Sequence, residues 1–152
     1  MQRRLEPELM NGDTQVQAYA AADFSSGDQA TIEAIQRLLS RTSPLPPDPL
    51  VVDLGCGPGN ITLRLAGLFP KARIIGIDGA ESMLAVARER AQQQQLEISF
   101  LCQTLQEVLR GALLGQADLI VSNSLLHHLH QPDLLWMVTR DLAAPGCRTL
   151  HR

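Results

Sequence analysis

From Leu50 onward, short apolar runs alternate with longer amphipathic segments, and this alternation limits the folds that the chain can adopt. Five runs predict β-strands: LVVDLG, ARIIGID, LEISFLC, ADLIVSN and CRTLH. Each run except the last is followed by a segment with helical periodicity. Because the apolar residues of a run are consecutive rather than alternating, we expect strands that are covered on both faces. The sequence therefore predicts an α/β fold with a doubly wound, mostly parallel sheet.

Residues 1–49 lack this alternation and predict a helical N-terminal cap on the α/β core of residues 50–152. We expect one helix over residues 13–22 and a second over residues 26–40, where isoleucines and leucines recur at helical spacing. Ser25 and Asp28 fit a capping box for the second helix. Four prolines in RTSPLPPDP then predict a stiff connector between the cap and the core.

Prolines, glycines and helical spacing also describe the helices between the strands. Pro132 is expected to open the last helix, and Pro145 with Gly146 to terminate it. Within this helix, Trp136 is expected to lie in the core. The helix after the second strand is expected to bury one face, formed by Met83, Leu84, Ala87 and Ala91.

The length and composition indicate one domain over residues 1–152 and exclude several classes of protein. A chain of 152 residues can bury a core without disulfides or a structural metal. With 45% hydrophobic and 19% charged residues, it resembles a globular chain rather than a disordered one. A net charge of -3 does not favour binding to nucleic acid or to an anionic membrane.

Cys56, Cys102 and Cys147 are widely spaced, and each lies within or beside an apolar run. An odd number of cysteines with this spacing predicts buried, reduced thiols rather than a disulfide framework. The first ten residues, MQRRLEPELM, are charged, and no window of the sequence has the run of about 18 apolar residues that a membrane span needs. We therefore expect a cytoplasmic protein.

The segment VVDLGCGPGN, residues 51–60, is the most informative motif of the chain. A predicted buried strand runs into Gly55, Gly57 and Gly59 and then into a helix, so the backbone can closely approach a ligand at the helix N-terminus. A dinucleotide fingerprint requires its third glycine one residue later, where this chain has Asn60. A phosphate-binding loop is excluded because no Gly-Lys-Ser/Thr follows.

Two acidic residues lie at informative distances from this glycine turn. Asp53 directly precedes it, and we expect its carboxylate at the mouth of the turn, where it would suit a cationic group. Asp78 ends the second predicted strand, 23 residues after Gly55, close to the spacing of about 20 at which an acid binds ribose hydroxyls. An ordinary cap of an Asp-Gly turn is the alternative for Asp78. Together the two acids indicate a nucleoside that carries a positive charge.

These motifs resemble those of the class I S-adenosylmethionine-dependent methyltransferases that act on small molecules. VVDLGCGPGN resembles their first motif, IIGIDGAESML their second motif with the following helix, and ADLIVSNSLLHHLHQPDLL their fourth strand with its loop. The resemblance covers the chain from about Ala18 onward. It implies a Rossmann-like fold and S-adenosylmethionine as the cofactor, with S-adenosylhomocysteine as the product.

The resemblance also implies which residues contact the cofactor. Asp53 would lie near the amino group of the methionine part, and Asp78 would bind the ribose. Gly79 and Met83 would flank the adenine, and the backbone of Asn123 would lie beside the sulfonium. The full expected set is Tyr19, Asp53, Gly55, Cys56, Gly57, Asn60, Asp78, Gly79, Met83, Gln103, Thr104, Leu105 and Asn123.

Two features depart from the family pattern. After the third strand the family has an acidic residue and then a small apolar one, whereas this chain has Thr104 and Leu105. Thr104 with Glu107 fits a capping box, so Gln103 or backbone groups are expected to read the adenine. The family's sheet has seven strands, whereas this chain stops within the fifth, which predicts a fold truncated at its C-terminal side. The fifth strand is expected to form an unprotected sheet edge. Either the chain is a fragment, or another subunit of a homo-oligomer covers that edge.

His127, His128 and His130 follow the fourth predicted strand. Adjacent histidines point in different directions and no second cluster of ligands has suitable spacing, so we expect no metal site. His127 or His128 is a candidate base or acceptor contact, and a helix-start or packing role is the alternative. In the resembling family the N-terminal segment closes over the cofactor, which makes Tyr19 a candidate contact rather than only an anchor of its helix.

The expected function is transfer of a methyl group from S-adenosylmethionine to a small-molecule acceptor. A catalytically silent domain that binds the cofactor, or only a partner protein, stays open because the family's last strands are missing. A nicotinamide-dependent oxidoreductase is a third alternative, and Asn60 in place of the third glycine argues against it.

Overall fold

A computed structural model describes Leu9, Met10 and residues 12–152 of the chain. Its five strands form one sheet in the order β3-β2-β1-β4-β5, and every neighbouring pair is parallel. The strands are β1 (Leu50–Leu54), β2 (Arg73–Asp78), β3 (Ile98–Cys102), β4 (Ala117–Ser122) and β5 (Ala143–His151). The predicted α/β fold with a doubly wound, parallel sheet is therefore confirmed.

Six α-helices and one short 3₁₀ helix are described. They are α1 (Asp13–Ala21), α2 (Ser25–Ser40), α3 (Asn60–Leu68), α4 (Glu81–Gln93), α5 (Leu105–Val108) and α6 (Asp133–Leu142), with the 3₁₀ helix at Leu126–His128. The two predicted N-terminal helices are present within one residue of their expected bounds. None of the helices in the described part of the chain is long and apolar enough to cross a membrane.

The central strand β1 separates two hydrophobic clusters. Val52 and Leu54 belong to the cluster that contains the inner face of α6. Val51, which points to the opposite face, packs with Ile35 of α2 and Leu65 of α3. Because alternate residues of a strand point to opposite faces, a run without polar interruptions requires helices on both sides, as the sequence predicts.

The predicted capping box of α2 does not form. Phe24 occupies the N-cap without a side-chain hydrogen bond, and the backbone N–H of Ser25 donates to Asp23 Oδ1 at 2.9 Å. Asp28 is buried instead. Its carboxylate interacts with side chains of α3, which are described below. It therefore does not accept backbone N–H groups of α2, as a capping residue would.

The predicted end of the last helix is also wrong. α6 ends at Leu142, and Pro145 and Gly146 lie inside β5. The pairing of β4 with β5 is irregular between Ala117 and Leu119, and Gly146 has φ 79°. β5 is an edge strand of the described sheet, where a proline and a local irregularity remove few ladder hydrogen bonds. The open edge at β5 is confirmed, and a second subunit along it stays a prediction.

Trp136 lies at the surface, contrary to its predicted core position. Its side chain is 48% exposed and packs edge to face against His151, with ring centroids 5.0 Å apart. The buried positions of α6 belong to Leu135, Val138 and Leu142. These three residues recur at helical spacing and form the buried face of α6. Trp136 lies outside that face, so its indole ring packs beside the edge strand β5.

The cysteines differ in burial. Cys56 is buried as predicted, Cys147 is partly buried, and Cys102 is exposed at the end of β3, contrary to the prediction. β3 is the other edge strand of the described sheet, so its end lacks cover from a further strand. None of the three cysteines forms a disulfide within the described residues.

Candidate functional site

The carboxyl ends of β1, β2 and β4 meet at one edge of the sheet. The chain order reverses around β1, with β2 on one side and β4 on the other, and such a switch point is where doubly wound sheets bind ligands. Two cavities open here, cavity 1 of about 320 Å³ and cavity 2 of about 290 Å³. They adjoin because five residues line both, namely Tyr19, Gly55, Gly57, Asn123 and Ser124.

The glycine turn after β1 forms the wall between the two cavities. Gly55 and Gly57 have φ values of 68° and 53°, which residues with a Cβ rarely adopt. A Cβ on Gly55 would lie 2.6 Å from Leu125 Cδ1, whereas a Cβ on Gly57 would meet no atom within 4 Å. The bare backbone at Gly57 therefore faces open space, as expected for a turn that a ligand approaches closely.

Asp78 is fixed against this turn by two backbone donors. Its Oδ2 accepts a hydrogen bond from the Gly57 N–H at 2.9 Å, and its Oδ1 accepts one from the Ala80 N–H at 2.8 Å. Burial raises the pKa of Asp78, and these backbone donors counteract that effect. The residue caps its turn and also lines cavity 1, so its two alternative roles are compatible.

Asp53 lines cavity 2 beside the turn, and its role toward a cationic group stays a prediction. The residue is 1% exposed, and its Oδ2 accepts a hydrogen bond from Thr62 Oγ1 at 2.7 Å. Burial raises its pKa to about 7, against the hydrogen bond from Thr62, because water no longer solvates the charged form. Asp53 is the next-to-last residue of β1, whose five residues are all buried, and its burial follows from that position.

The wall of cavity 1 opposite the turn contains the residues expected around the adenine. They are Gly79, Met83, Gln103, Thr104 and Leu105. The predicted capping box is confirmed, since Thr104 Oγ1 accepts from the Glu107 N–H at 3.3 Å and Glu107 Oε2 accepts from the Thr104 N–H at 2.7 Å. The Thr104 hydroxyl also donates to Glu107 Oε2 at 3.0 Å. Because Glu107 engages the Thr104 hydroxyl, Gln103 is the better placed polar side chain on this wall.

The N-terminal segment covers cavity 1. Leu9 and Met10 line it, and a Cβ on Gly79 would lie 2.5 Å from Leu9 Cδ2. Tyr19 of α1 lines both cavities, and its ring centroid is 4.9 Å from that of Phe24. Sequence analysis missed Leu9 and Met10, because they precede the first helix and belong to no motif.

The loop after β4 closes the other side of the site. Asn123 lines both cavities, and its Oδ1 accepts a hydrogen bond from Thr31 Oγ1 of α2 at 3.1 Å. Ser124 has φ 58°, a conformation that non-glycine residues adopt mainly where the surroundings enforce it. Its N–H donates to the carbonyl of Arg152 at 2.7 Å. Contacts from α2 and from the end of β5 therefore hold this loop.

The structure separates the two candidate catalytic histidines. His128 and His130 line cavity 1, whereas His127 is exposed and is not among the lining residues of either cavity. The rings of His127 and His128 pack with centroids 4.0 Å apart. Within Leu9, Met10 and residues 12–152, no three histidine, cysteine, aspartate or glutamate side chains form a group that could hold a metal ion.

Asn60 and Asp28 form a polar group at the far side of cavity 2. Arg90 Nη1 donates to Asn60 Oδ1 at 2.8 Å and to the Pro58 carbonyl at 3.1 Å, which fixes the Asn60 amide. That amide is hydrogen-bonded to Asp28, which also lies 4.0 Å from Arg64 Nε. Sequence analysis assigned Asp28 to a helix cap and so missed that it lines this cavity.

Residues 51–144 match a family model described as a methyltransferase domain, and this match covers more than half of the chain. The chain belongs to this family of methyltransferases. The matched region runs from β1 into the first residues of β5 and therefore includes the glycine turn, Asp78 and the loop after β4.

Two curated relatives and one solved structure illustrate the similarity. The trans-aconitate 2-methyltransferase of Variovorax paradoxus is 45% identical over 73% of this chain and 40% of its own length. The malonyl-[acyl-carrier protein] O-methyltransferase of Bacillus anthracis is 40% identical over 60% of this chain and 31% of its own length. A candidate S-adenosyl-L-methionine-dependent methyltransferase of Methanococcus maripaludis has a TM-score of 0.77, with 17% identity over 99% of this chain and 66% of its own. This chain thus spans less than half the length of the two curated relatives.

S-adenosylmethionine is the cofactor of this family, and the site of this chain fits it. Two cavities meet at a turn whose backbone is bare at Gly57, and each contains an acid that is suited to one part of a cationic nucleoside. Asp78 lines the first cavity, and Asp28 and Asp53 line the second. These features agree with the cofactor that the sequence predicts.

Proposed function

We propose that this chain binds S-adenosylmethionine and transfers its methyl group to a small-molecule acceptor. One observation carries the proposal: the Asp78 carboxylate accepts the Gly57 N–H at 2.9 Å, at a bare glycine turn that opens into two adjoining cavities. An acid fixed to such a turn can accept hydrogen bonds from the two ribose hydroxyls while the backbone approaches the ligand. Family membership supports the same reading.

In this proposal the cofactor lies across the glycine turn. Asp78 holds the ribose, Met83 and Leu105 contact the adenine in cavity 1, and the amino-acid part enters cavity 2. The bound cofactor supplies a methyl group that its sulfonium has already activated. Tyr19, Gly79, Gln103 and the backbone of Asn123 complete the proposed contacts.

The protein's own contribution is alignment of the acceptor and exclusion of water. Methyl transfer by displacement requires the acceptor atom within about 3 to 3.5 Å of the methyl carbon, in line with the bond that breaks. Leu9, Met10 and Leu129 provide apolar cover of cavity 1. His128 and His130 line the same cavity and are the proposed contacts for the acceptor.

A small carboxylic acid is the first acceptor to test, and trans-aconitate is the specific candidate. The relative from Variovorax paradoxus is named for this compound. His128 and His130, which line cavity 1, are groups that can bind carboxylates. An ionised carboxylate needs no base to become nucleophilic, so His128 would orient the acceptor and would not have to remove a proton.

Calorimetric titration with S-adenosylhomocysteine tests the proposal. We expect Asp78→Ala to weaken binding by roughly 1 to 3 kcal/mol, because two hydroxyl acceptors are lost. Asp118→Ala is the matched control, since Asp118 Oδ2 also accepts a backbone N–H, from Leu50 at 2.8 Å, and lies at the opposite end of the strands. Equal affinity of the two variants would contradict the proposed role of Asp78.

A silent cofactor-binding domain is the second candidate, because the chain spans less than half of its curated relatives. Binding of S-adenosylhomocysteine without methylation of trans-aconitate or related acids would favour it. The proposed compartment is the cytoplasm, which agrees with three cysteines that form no disulfide within the described residues.

A further inference from the structure

Cavity 2 contains an acid that the sequence motifs do not indicate. Asp28 projects from the first turns of α2, is 6% exposed, and lines the cavity together with Asp53. Asp53 already accepts the Thr62 hydroxyl and has a pKa of about 7. The Asp53 carboxyl is therefore already engaged by α3.

Asp28 is held as an acceptor by two residues of α3, the helix that follows the glycine turn. Arg90 binds the oxygen of the Asn60 amide, which leaves the amide nitrogen to donate to Asp28. Arg64 Nε lies 4.0 Å from Asp28 Oδ2. Burial raises the pKa of Asp28, while Arg64 and the Asn60 hydrogen bond oppose this effect and favour the charged carboxylate. The carboxylate is thus both buried and positioned.

Cavity 2 also contains a cation. Arg152 lines it, and its Nη1 donates to Thr31 Oγ1 at 3.0 Å and to the Gly27 carbonyl at 3.2 Å. Cavity 2 is thus lined by two carboxyl groups, of Asp28 and Asp53, and by one guanidinium. Acidic and basic groups in one cavity are complementary to a zwitterion, in which an ammonium and a carboxylate lie on the same carbon. The amino-acid end of the cofactor has this chemistry, whereas its adenosine end has no ionised group.

We propose that Asp28, positioned by Asn60, binds the α-ammonium group of the cofactor's amino-acid end. This inference rests on the proposed function and adds a residue of α2 to the site. Asp53 then has a structural role, holding α3 against β1 through Thr62. In this assignment, α2 of the N-terminal cap supplies the acid that contacts the ammonium group, whereas Asp53 is buried and contacts Thr62.

Two ligands distinguish a contact with the ammonium from a general effect on the site. S-adenosylhomocysteine carries the amino-acid end, and 5′-methylthioadenosine has the same thioether and nucleoside without it. In calorimetric titrations, we expect Asp28→Asn to weaken S-adenosylhomocysteine binding by about tenfold or more. Binding of 5′-methylthioadenosine should stay within about twofold of the wild type. Asparagine keeps an oxygen that accepts from Asn60, so the fold is preserved.

Asp23→Asn is the matched control. Asp23 lies on the same side of the cap and carries the same charge, yet it does not line cavity 2. It should leave both affinities unchanged, which excludes a long-range charge effect. Equal losses for both ligands in Asp28→Asn would overturn the inference and indicate a structural role for Asp28. A selective loss in Asp53→Asn but not in Asp28→Asn would also overturn it. If the wild type binds neither ligand, the proposed function itself fails.

Discussion

Burial of the Asp53 carboxyl makes the stability of the cofactor-free protein depend on pH. The residue is 1% exposed, and burial raises its pKa from 3.8 to about 7. The folded protein therefore binds a proton at Asp53 that the unfolded chain has released. A group with a raised pKa contributes stability below its unfolded pKa and loses that contribution as pH rises through its folded pKa. The relevant window thus runs from about pH 4 to about pH 7.

The substitution Asp53→Asn removes this dependence. Asparagine keeps the size of the side chain and an oxygen that can accept from Thr62 Oγ1, now 2.7 Å from Asp53 Oδ2. The folded and unfolded pKa values differ by roughly three units, and each unit corresponds to about 1.4 kcal/mol. About half to two-thirds of that effect falls between pH 5 and pH 8. The variant should therefore gain roughly 2 to 3 kcal/mol relative to the wild type between these two pH values.

Urea denaturation followed by circular dichroism, at both pH values and constant ionic strength, measures this difference. Asp23→Asn is the control, because Asp23 is exposed and the hydrogen bonds from Ser25 lower its pKa below 3.8, so it is ionised at both pH values. A gain in Asp53→Asn that is the same at pH 5 and pH 8 would refute the assignment of a raised pKa to Asp53.

Three further predictions concern the cap of α5, a histidine at the sheet edge and the glycine turn. Thr104→Ala should lower the free energy of unfolding by about 1 kcal/mol, because the capping box is lost. The same variant should bind S-adenosylhomocysteine as tightly as the wild type does. A large loss of affinity would show instead that the Thr104 hydroxyl contacts the adenine. His151 should titrate below 6.5 in an NMR experiment, since burial lowers its pKa. Its contribution to stability is present above pH 6.5 and is lost as pH falls through the lowered pKa. A pKa of His151 at or above 6.5 would contradict this prediction. Gly55→Ala should destabilise the protein more than Gly57→Ala, because the Gly55 Cβ would lie 2.6 Å from Leu125, and equal thermal shifts would disprove the difference.

Much of the site could be predicted from the sequence because its motifs are local. The glycine spacing after β1 and the position of Asp78 at the end of β2 each depend on a few consecutive residues and on the register of one strand. The Thr104 capping box depends only on residues three apart, and it forms as predicted. Such features are set by backbone conformation and short-range hydrogen bonds, which the chain encodes wherever it folds.

Predictions that required knowledge of distant neighbours were less successful. Trp136 has an apolar side chain on a helix with a strong apolar face, yet it lies at the surface beside an edge strand. Asp28 resembles a capping residue in sequence, yet Asn60 and Arg64 hold its carboxylate. These outcomes depend on which elements become neighbours and not on local propensity.

The alternation of apolar runs determined the parallel sheet, and the glycine turn with Asp78 predicted the position of the proposed nucleoside site. Only the tertiary structure decided how each carboxylate of the site is held. β1 is covered on both faces, so Asp53 near its end is buried, while the packing of α2 beside α3 brings Asp28 to the cavity. The physical reason is that solvation of a charge depends on all surrounding elements, whereas a turn depends on the few residues that form it.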